Sequence, residues 1–157
     1  MSAVASEVSG IRGITIPLEG HTLLLPNDAV ADIVGDRELE HTPDMPDWMA
    51  GVTDWQRRKL FVVQFERLLG QAQISASQRR RIVVCYSLYP ESRQDYIGIM
   101  GQSIPRLVRI SEELIQGEQV PSMHKDAPPV LAALRFNGER VLIPDLAELG
   151  RRLELVD

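Results

Sequence analysis

Apolar residues in this chain come in short runs, at 11–18, 21–25, 30–34, 60–65, 82–86, 96–100, 107–110, 130–136 and 141–143. Most of these runs are too short for helices, and glycine and proline punctuate the gaps between them. Many short strands in succession predict a barrel or sandwich and argue against alternating βαβ units. The chain opens with a hairpin signal: Ile14 and Ile16 flank Thr15, Glu19 and Gly20 offer a turn, and residues 21–25 return as a second strand.

The sharpest local signal is Asn137-Gly138, a pair that tolerates the two positive φ angles of a type I′ hairpin turn. If Phe136 and Glu139 flank that turn, Leu134 faces Val141, Ala132 faces Ile143 and Arg135 faces Arg140. Val130, Ala132, Leu134 and Phe136 then form the expected inward face. Downstream, Asp145 followed by Glu148 reads as a capping box, with Leu146, Leu149 and Leu153 on one face of a short C-terminal helix. Gly150 is expected to stop or bend that helix, since glycine costs roughly 1 kcal/mol relative to alanine there.

An internal echo bears on architecture: VVQFERLLG at 62–70 and LIPDLAELG at 142–150 both pass from an apolar strand to a leucine-bearing turn that ends in glycine. One domain over 1–157 is expected, with lobes at about 11–70 and 82–149 and the first strand a candidate for sharing between them. The polar stretch 71–81, with its arginines Arg79, Arg80 and Arg81, is the natural connector. Two segments rich in turn formers and charge, 90–95 and 116–129, read as loops.

Composition bounds the function classes. With 44% apolar and 25% charged residues the chain sits at the globular average, and 157 residues suffice for a core without metal or disulfide. A net charge of -5 argues against nucleic acid and anionic lipid as partners. The 5% aromatic content is thin for a single-strand-binding barrel. No apolar run approaches the roughly 20 residues of a membrane span, and residues 1–10 lack the pattern of a signal peptide, so a cytoplasmic protein is expected. Cys85, the single cysteine, lies inside the run 82–86 and reads as a small core residue.

Motifs of catalysis are missing: there is no G-x-S-x-G, no phosphate loop, no G-x-G-x-x-G and no ligand spacing for a metal. His21, His41 and His124 read as surface residues. Arg57 and Arg58, or Arg79 to Arg81, could bind a nucleotide, but no anion-cradling loop accompanies them. No cofactor is expected. A binding adaptor is the leading reading, a small regulatory ligand-binding barrel the second and an enzyme the third.

The stretch 44–70, DMPDWMAGVTDWQRRKLFVVQFERLLG, resembles the signature of CheW-type coupling domains through Pro46, Trp48, Met49, Gly51, Val52, Leu68, Leu69 and Gly70. The resemblance extends over nearly the whole chain, and its detailed look is nearest to the divergent ChpC proteins of chemosensory pilus systems. It implies an all-β fold of two five-stranded SH3-like barrel lobes with a short C-terminal helix and no active site. It also implies two partners, the regulatory domain of a CheA-like histidine kinase and the tip of a methyl-accepting receptor or a divergent, pilus-linked equivalent.

Departures from the family pattern lie at the candidate contact surface. Gln56 and Arg57 replace the usual Arg-Gly, and Phe61 and Gln64 stand where a proline and an aspartate are usual. The missing arginine is associated in the family with receptor engagement, and glutamine lacks its charge and its five-donor fork. The expected partner-binding set is Val30, Trp48, Gly51, Trp55, Gln56, Arg57 and Arg58, with Lys59 completing a basic cluster. Gly51 is expected to allow close backbone approach or positive φ, and Trp48 to anchor core in preference to interface.

Overall fold

The computed structural model describes residues 10–75, 77–111, 115–118 and 127–156. Eleven strands form two sheets: β1 (Gly10–Pro17), β2 (Thr22–Pro26), β3 (Val30–Gly35), β4 (Met49–Trp55), β5 (Arg58–Val63), β6 (Arg81–Tyr86), β7 (Tyr96–Gly101), β8 (Arg106–Ser111), β9 (Ile115–Glu118), β10 (Val130–Phe136) and β11 (Glu139–Pro144). Helix α1 (Phe65–Leu68) follows β5 and helix α2 (Leu146–Glu154) follows β11. One sheet runs β3-β6-β7-β5-β4 and the other β8-β1-β2-β11-β10-β9.

The two sheets are built alike. Each holds a hairpin, β4–β5 or β10–β11, whose second strand runs parallel to another strand: β5 to β7 through Val62↔Gly98, and β11 to β2 through Leu142↔Leu23. Each hairpin carries a register shift near its start, between Met49 and Gly51 or between Val130 and Ala132. Both lobes also close the same way. After β3 the chain crosses to the free edge of β4, where Glu40 and Val52 exchange backbone hydrogen bonds of 2.9 Å; after β8 the chain continues as β9 and pairs Glu118 with Ala133 of β10. β9 is therefore the longer counterpart of the Glu40 bridge, a sixth strand beyond the five (β8, β1, β2, β11 and β10) that correspond to the other sheet.

Lobe boundaries follow the sheets and not the halves of the chain. The division at 11–70 and 82–149 is corrected, because β1 and β2 belong with β8 to β11, while β6 and β7 belong with β3 to β5. The echo between 62–70 and 142–150 is real in kind but shifts by one residue: Gln64 and Asp145 are the equivalent N-caps, with φ,ψ of -94,93 and -92,94. Their amides donate to the carbonyls of Trp48 and Pro129, each at 2.7 Å.

One apolar core joins the lobes, drawing Ile16, Leu23 and Leu142 from one sheet and Val63, Val83 and Ile99 from the other, with Phe65 and Leu149 from the helices. The five-stranded sheet holds a second core on its opposite face, around Trp55, Leu60, Val62, Ile82, Val84 and Met100. Strand β6 is apolar at successive positions because both of its faces are buried. Cys85 is fully buried in the shared core, and desolvation pushes its thiol up to about 12. It is a packing residue.

The hairpin register at Asn137-Gly138 is as expected, with Phe136↔Glu139, Leu134↔Val141 and Ala132↔Ile143. The inward face is not. The shift between Val130 and Ala132 puts Val130 and Ala133 together in the core, while Ala132, Leu134 and Phe136 are only half-buried. Of the expected loop 116–129, the first three residues belong to β9, and residues 119–126, with His124, lie outside the described residues. His41 is exposed and His21 half-buried.

Only half of the capping box forms: Asp145 accepts from the Glu148 amide at 3.0 Å, but the Asp145 amide is taken by Pro129. The Glu148 carboxylate turns instead to Arg151 and Arg152, which hold its pKa down at about 2. Leu146, Leu149 and Leu153 face the core as expected. Helix α2 runs straight through Gly150, where a Cβ would lie 2.8 Å from Tyr89 Cβ and 2.6 Å from Ser87 Oγ. The glycine is there for close packing of the helix on the segment after β6.

Two outcomes follow. Gly150→Ala, which helix propensity alone would favour, destabilises the protein by about 1–2 kcal/mol in urea denaturation because the added methyl overpacks against Tyr89. Glu148 has a depressed pKa, so its contribution is present above the ordinary carboxylate value of 4.5 and is lost as pH falls toward 2. Glu148→Gln lowers the melting temperature at neutral pH and flattens the acid limb of the stability curve; an unchanged acid limb would show that Glu148 does not carry this dependence.

Candidate functional site

Five of the seven expected partner-binding residues lie on the β4–β5 hairpin. Gln56 and Arg57 form its two-residue turn, with φ of 48° and 63°, so both sit in the left-handed region without the help of glycine. This is the counterpart of Asn137 and Gly138, whose φ values are 50° and 81°. The right-handed twist of paired strands demands such a turn between Trp55 and Arg58, and the chain meets that demand with two unfavourable residues. Both are exposed at the hairpin tip.

Beneath the tip the hairpin is held rigidly. Trp55 is 4% exposed, packs edge-on against Tyr96 at 4.7 Å between ring centroids, and donates from Nε1 to Asp32 Oδ2 at 3.0 Å. Tyr86 extends the cluster at 5.4 Å from Tyr96. Arg58 lies over the Tyr96 ring at 4.8 Å and reaches Asp95 at 3.5 Å. Lys59 pairs with Asp54 at 2.8 Å, and this hydrogen bond raises its pKa. Among the described residues, Arg57 is the member of the basic cluster with no hydrogen bond or ion pair.

The remaining residues of the expected set do other work. Gly51 is buried at the bulge of β4, and a Cβ there would lie 2.8 Å from both the Glu40 carbonyl oxygen and Leu39 Cβ. Its absence of a side chain lets the Glu40 bridge close the lobe. Val30 opens β3, half-buried against the shared core. Trp48 also packs on that core, yet it lines a groove on a different part of the surface, together with α1 and the end of α2. Tyr86, Tyr96, Asp32 and Asp95 escape sequence reasoning. Two tyrosines at strand ends are a weak signal, and nothing local links residue 32 to residue 55.

Among the described residues no group of three or more His, Cys, Asp and Glu side chains could hold a metal ion, and no helix is long and apolar enough to cross a membrane. The chemistry on offer is that of a surface: a rigid, strained, basic turn on an aromatic base. Residues 12–154 match the family model described as the CheW-like domain. The chain belongs to the CheW-like domain family. The fold is also similar to the crystal structure of the scaffolding protein TtCheW from Thermoanaerobacter tengcongensis, with a TM-score of 0.70 and 15% identity over 86% of this chain and 84% of that one. No curated protein matched the chain. The CheW-like assignment agrees with the all-β, two-lobed fold with a short C-terminal helix, and places the hairpin within a family of scaffolding and coupling adaptors.

Strain at the tip is measurable. Arg57→Gly relieves one left-handed residue and stabilises the protein by about 1 kcal/mol, whereas Gly138→Ala at the equivalent turn destabilises it by about the same amount. Urea unfolding of both variants checks the pair; equal signs would show that the two turns are not equivalent.

Proposed function

We propose that this CheW-like chain is a non-catalytic, cytoplasmic adaptor that docks the regulatory domain of a chemosensory histidine kinase. Its second partner is a receptor tip or a pilus-linked equivalent, in a system of the kind that drives twitching through type IV pili. The observation that carries the reading is the family match across 12–154, which takes in both lobes and both helices. The candidate surface is the β4–β5 tip with Gln56, Arg57 and Arg58, stiffened from below by Trp55; Gly51 instead admits the Glu40 bridge, and Val30 and Trp48 pack on the shared core.

Partner choice turns on Gln56 and Arg57. The family's Arg-Gly pair would put a guanidinium on the first turn position and a strain-free glycine on the second. This chain reverses the assignment, leaving an uncharged side chain first and an unpaired arginine second. Contact with the kinase domain survives such a change, whereas a charge-assisted contact to a conventional receptor tip, worth about 1.5–3 kcal/mol, is lost.

Titration of the wild type, Arg57→Gly and the double variant Gln56→Arg, Arg57→Gly against a kinase regulatory domain and a receptor tip tests this. The double variant is expected to gain roughly tenfold or more for the receptor tip over the single variant, with kinase affinity unchanged. Tight receptor binding by the wild type, or no gain in the double variant, would show that Gln56 does not set partner choice. A thermal shift with a small molecule and no binding to the kinase domain would favour a ligand-binding barrel instead.

A further inference from the structure

Trp48, Leu68 and Leu155 line an open groove of about 740 Å³ between the β3–β4 segment, α1 and the end of α2. Leu155 is 73% exposed there, and Trp48 and Leu68 are only partly covered by the core they pack on. Three guanidinium groups share the lining: Arg67 from α1, and Arg151 and Arg152 from α2. Asp44 is the carboxylate among the lining residues, and its pKa is held down chiefly by a hydrogen bond from the Thr42 hydroxyl. Setting Asp44 and the adjoining Glu148 carboxylate against these three arginines still leaves one positive charge beside an apolar floor, in a chain of net charge -5.

The arginines are held in place without being used up. Glu148 Oε1 and Oε2 accept from Arg151 Nε and Nη2 at 2.7 and 2.8 Å, and Oε2 also accepts from Arg152 Nε at 2.8 Å. Arg152 Nη2 donates to the Ala127 carbonyl at 2.6 Å. Each of these two guanidinium groups thus spends two of its five N–H donors on the protein. Arg67 spends one, on the Ala72 carbonyl. The remaining donors are fixed in direction by a fork that has already lost its rotamer freedom, which lowers the entropy cost of a further carboxylate contact.

We propose that this groove docks an acidic, amphipathic segment of a partner protein, with apolar side chains on Trp48, Leu68 and Leu155 and carboxylates on Arg67, Arg151 and Arg152. Charge complementarity selects this occupant: the rim is cationic, the floor is apolar, and the net negative charge of the chain disfavours acidic partners elsewhere. The hydrogen-bond geometry adds that carboxylates suit the open guanidinium forks better than isolated anions would, because the apolar floor rewards a ligand that brings both. The groove lies on elements of both lobes and is separate from the β4–β5 tip, so this assignment stands or falls independently of the kinase and receptor reading.

The test uses the full chain and two short labelled helical peptides with leucines on one face and either glutamates or lysines on the other. Fluorescence anisotropy should show binding of the glutamate peptide alone, weakening with added salt. Arg67→Gln with Arg151→Gln should weaken it by roughly tenfold or more, and Leu155→Ser should weaken it without changing the salt dependence. Gln56→Arg, at the far hairpin, should leave it unchanged. Trp48 emission should shift on binding and Trp48→Phe should abolish that shift. Equal binding of the lysine peptide, or no loss in the arginine variants while circular dichroism shows them folded, overturns the proposal. So does a dimer in sedimentation that Leu155→Ser dissociates, which would give the groove to a second copy. Binding to phosphatidylserine vesicles that the arginine variants lose would give the groove to a lipid surface and overturn the proposal equally.

Discussion

The apolar core between the two sheets is the feature on which the rest of the molecule depends. Neither sheet completes itself from one half of the chain: β2 reaches β11 across more than a hundred residues, and β5 reaches β7 past α1 and β6. Those parallel pairings are held by the side chains they bury, since Leu23 and Leu142, like Val63 and Ile99, sit in the shared core. Helices α1 and α2 add Phe65, Leu146, Leu149 and Leu153 to the same core. The helices are therefore short and positioned by packing, as expected for segments too short to be stable alone.

Because the lobes are built alike, their differences are informative. The turn at Asn137 and Gly138 uses the residues that a type I′ turn prefers, and the turn at Gln56 and Arg57 does not. The turn at Gln56 and Arg57 survives because Trp55, Tyr96 and Asp32 lock the strands on either side of it. Strain maintained by over-determined surroundings is a mark of functional sites. The strain at Gln56 and Arg57 is compatible with the docking role proposed for this tip.

The chain presents two surfaces of different character. The hairpin tip is small, rigid and polar, on an aromatic footing. The groove by α2 is concave and apolar, with a cationic rim. The two lie on separate parts of the chain's surface, so two ligands could be held at once without competing for the same side chains. That geometry suits the scaffolding and coupling role of the CheW-like family.

Local physics carried much of this structure into the sequence. The hairpin register at residues 136–139, the burial of Cys85, the N-cap at Asp145 and the leucine face of α2 were legible because each depends on neighbours within a few residues. The family resemblance in 44–70 made the two-lobed fold legible as well. Tertiary structure alone decided which strands share a sheet, since parallel pairings depend on chain closure over long distances that no periodicity records. It also decided that one bulged residue turns Val130 and Ala133 inward together, that Gly150 packs a helix instead of ending it, and that residues 32, 55 and 96 meet beneath one turn. A side chain's environment is set by what folds over it, and the sequence determines that only through the whole fold.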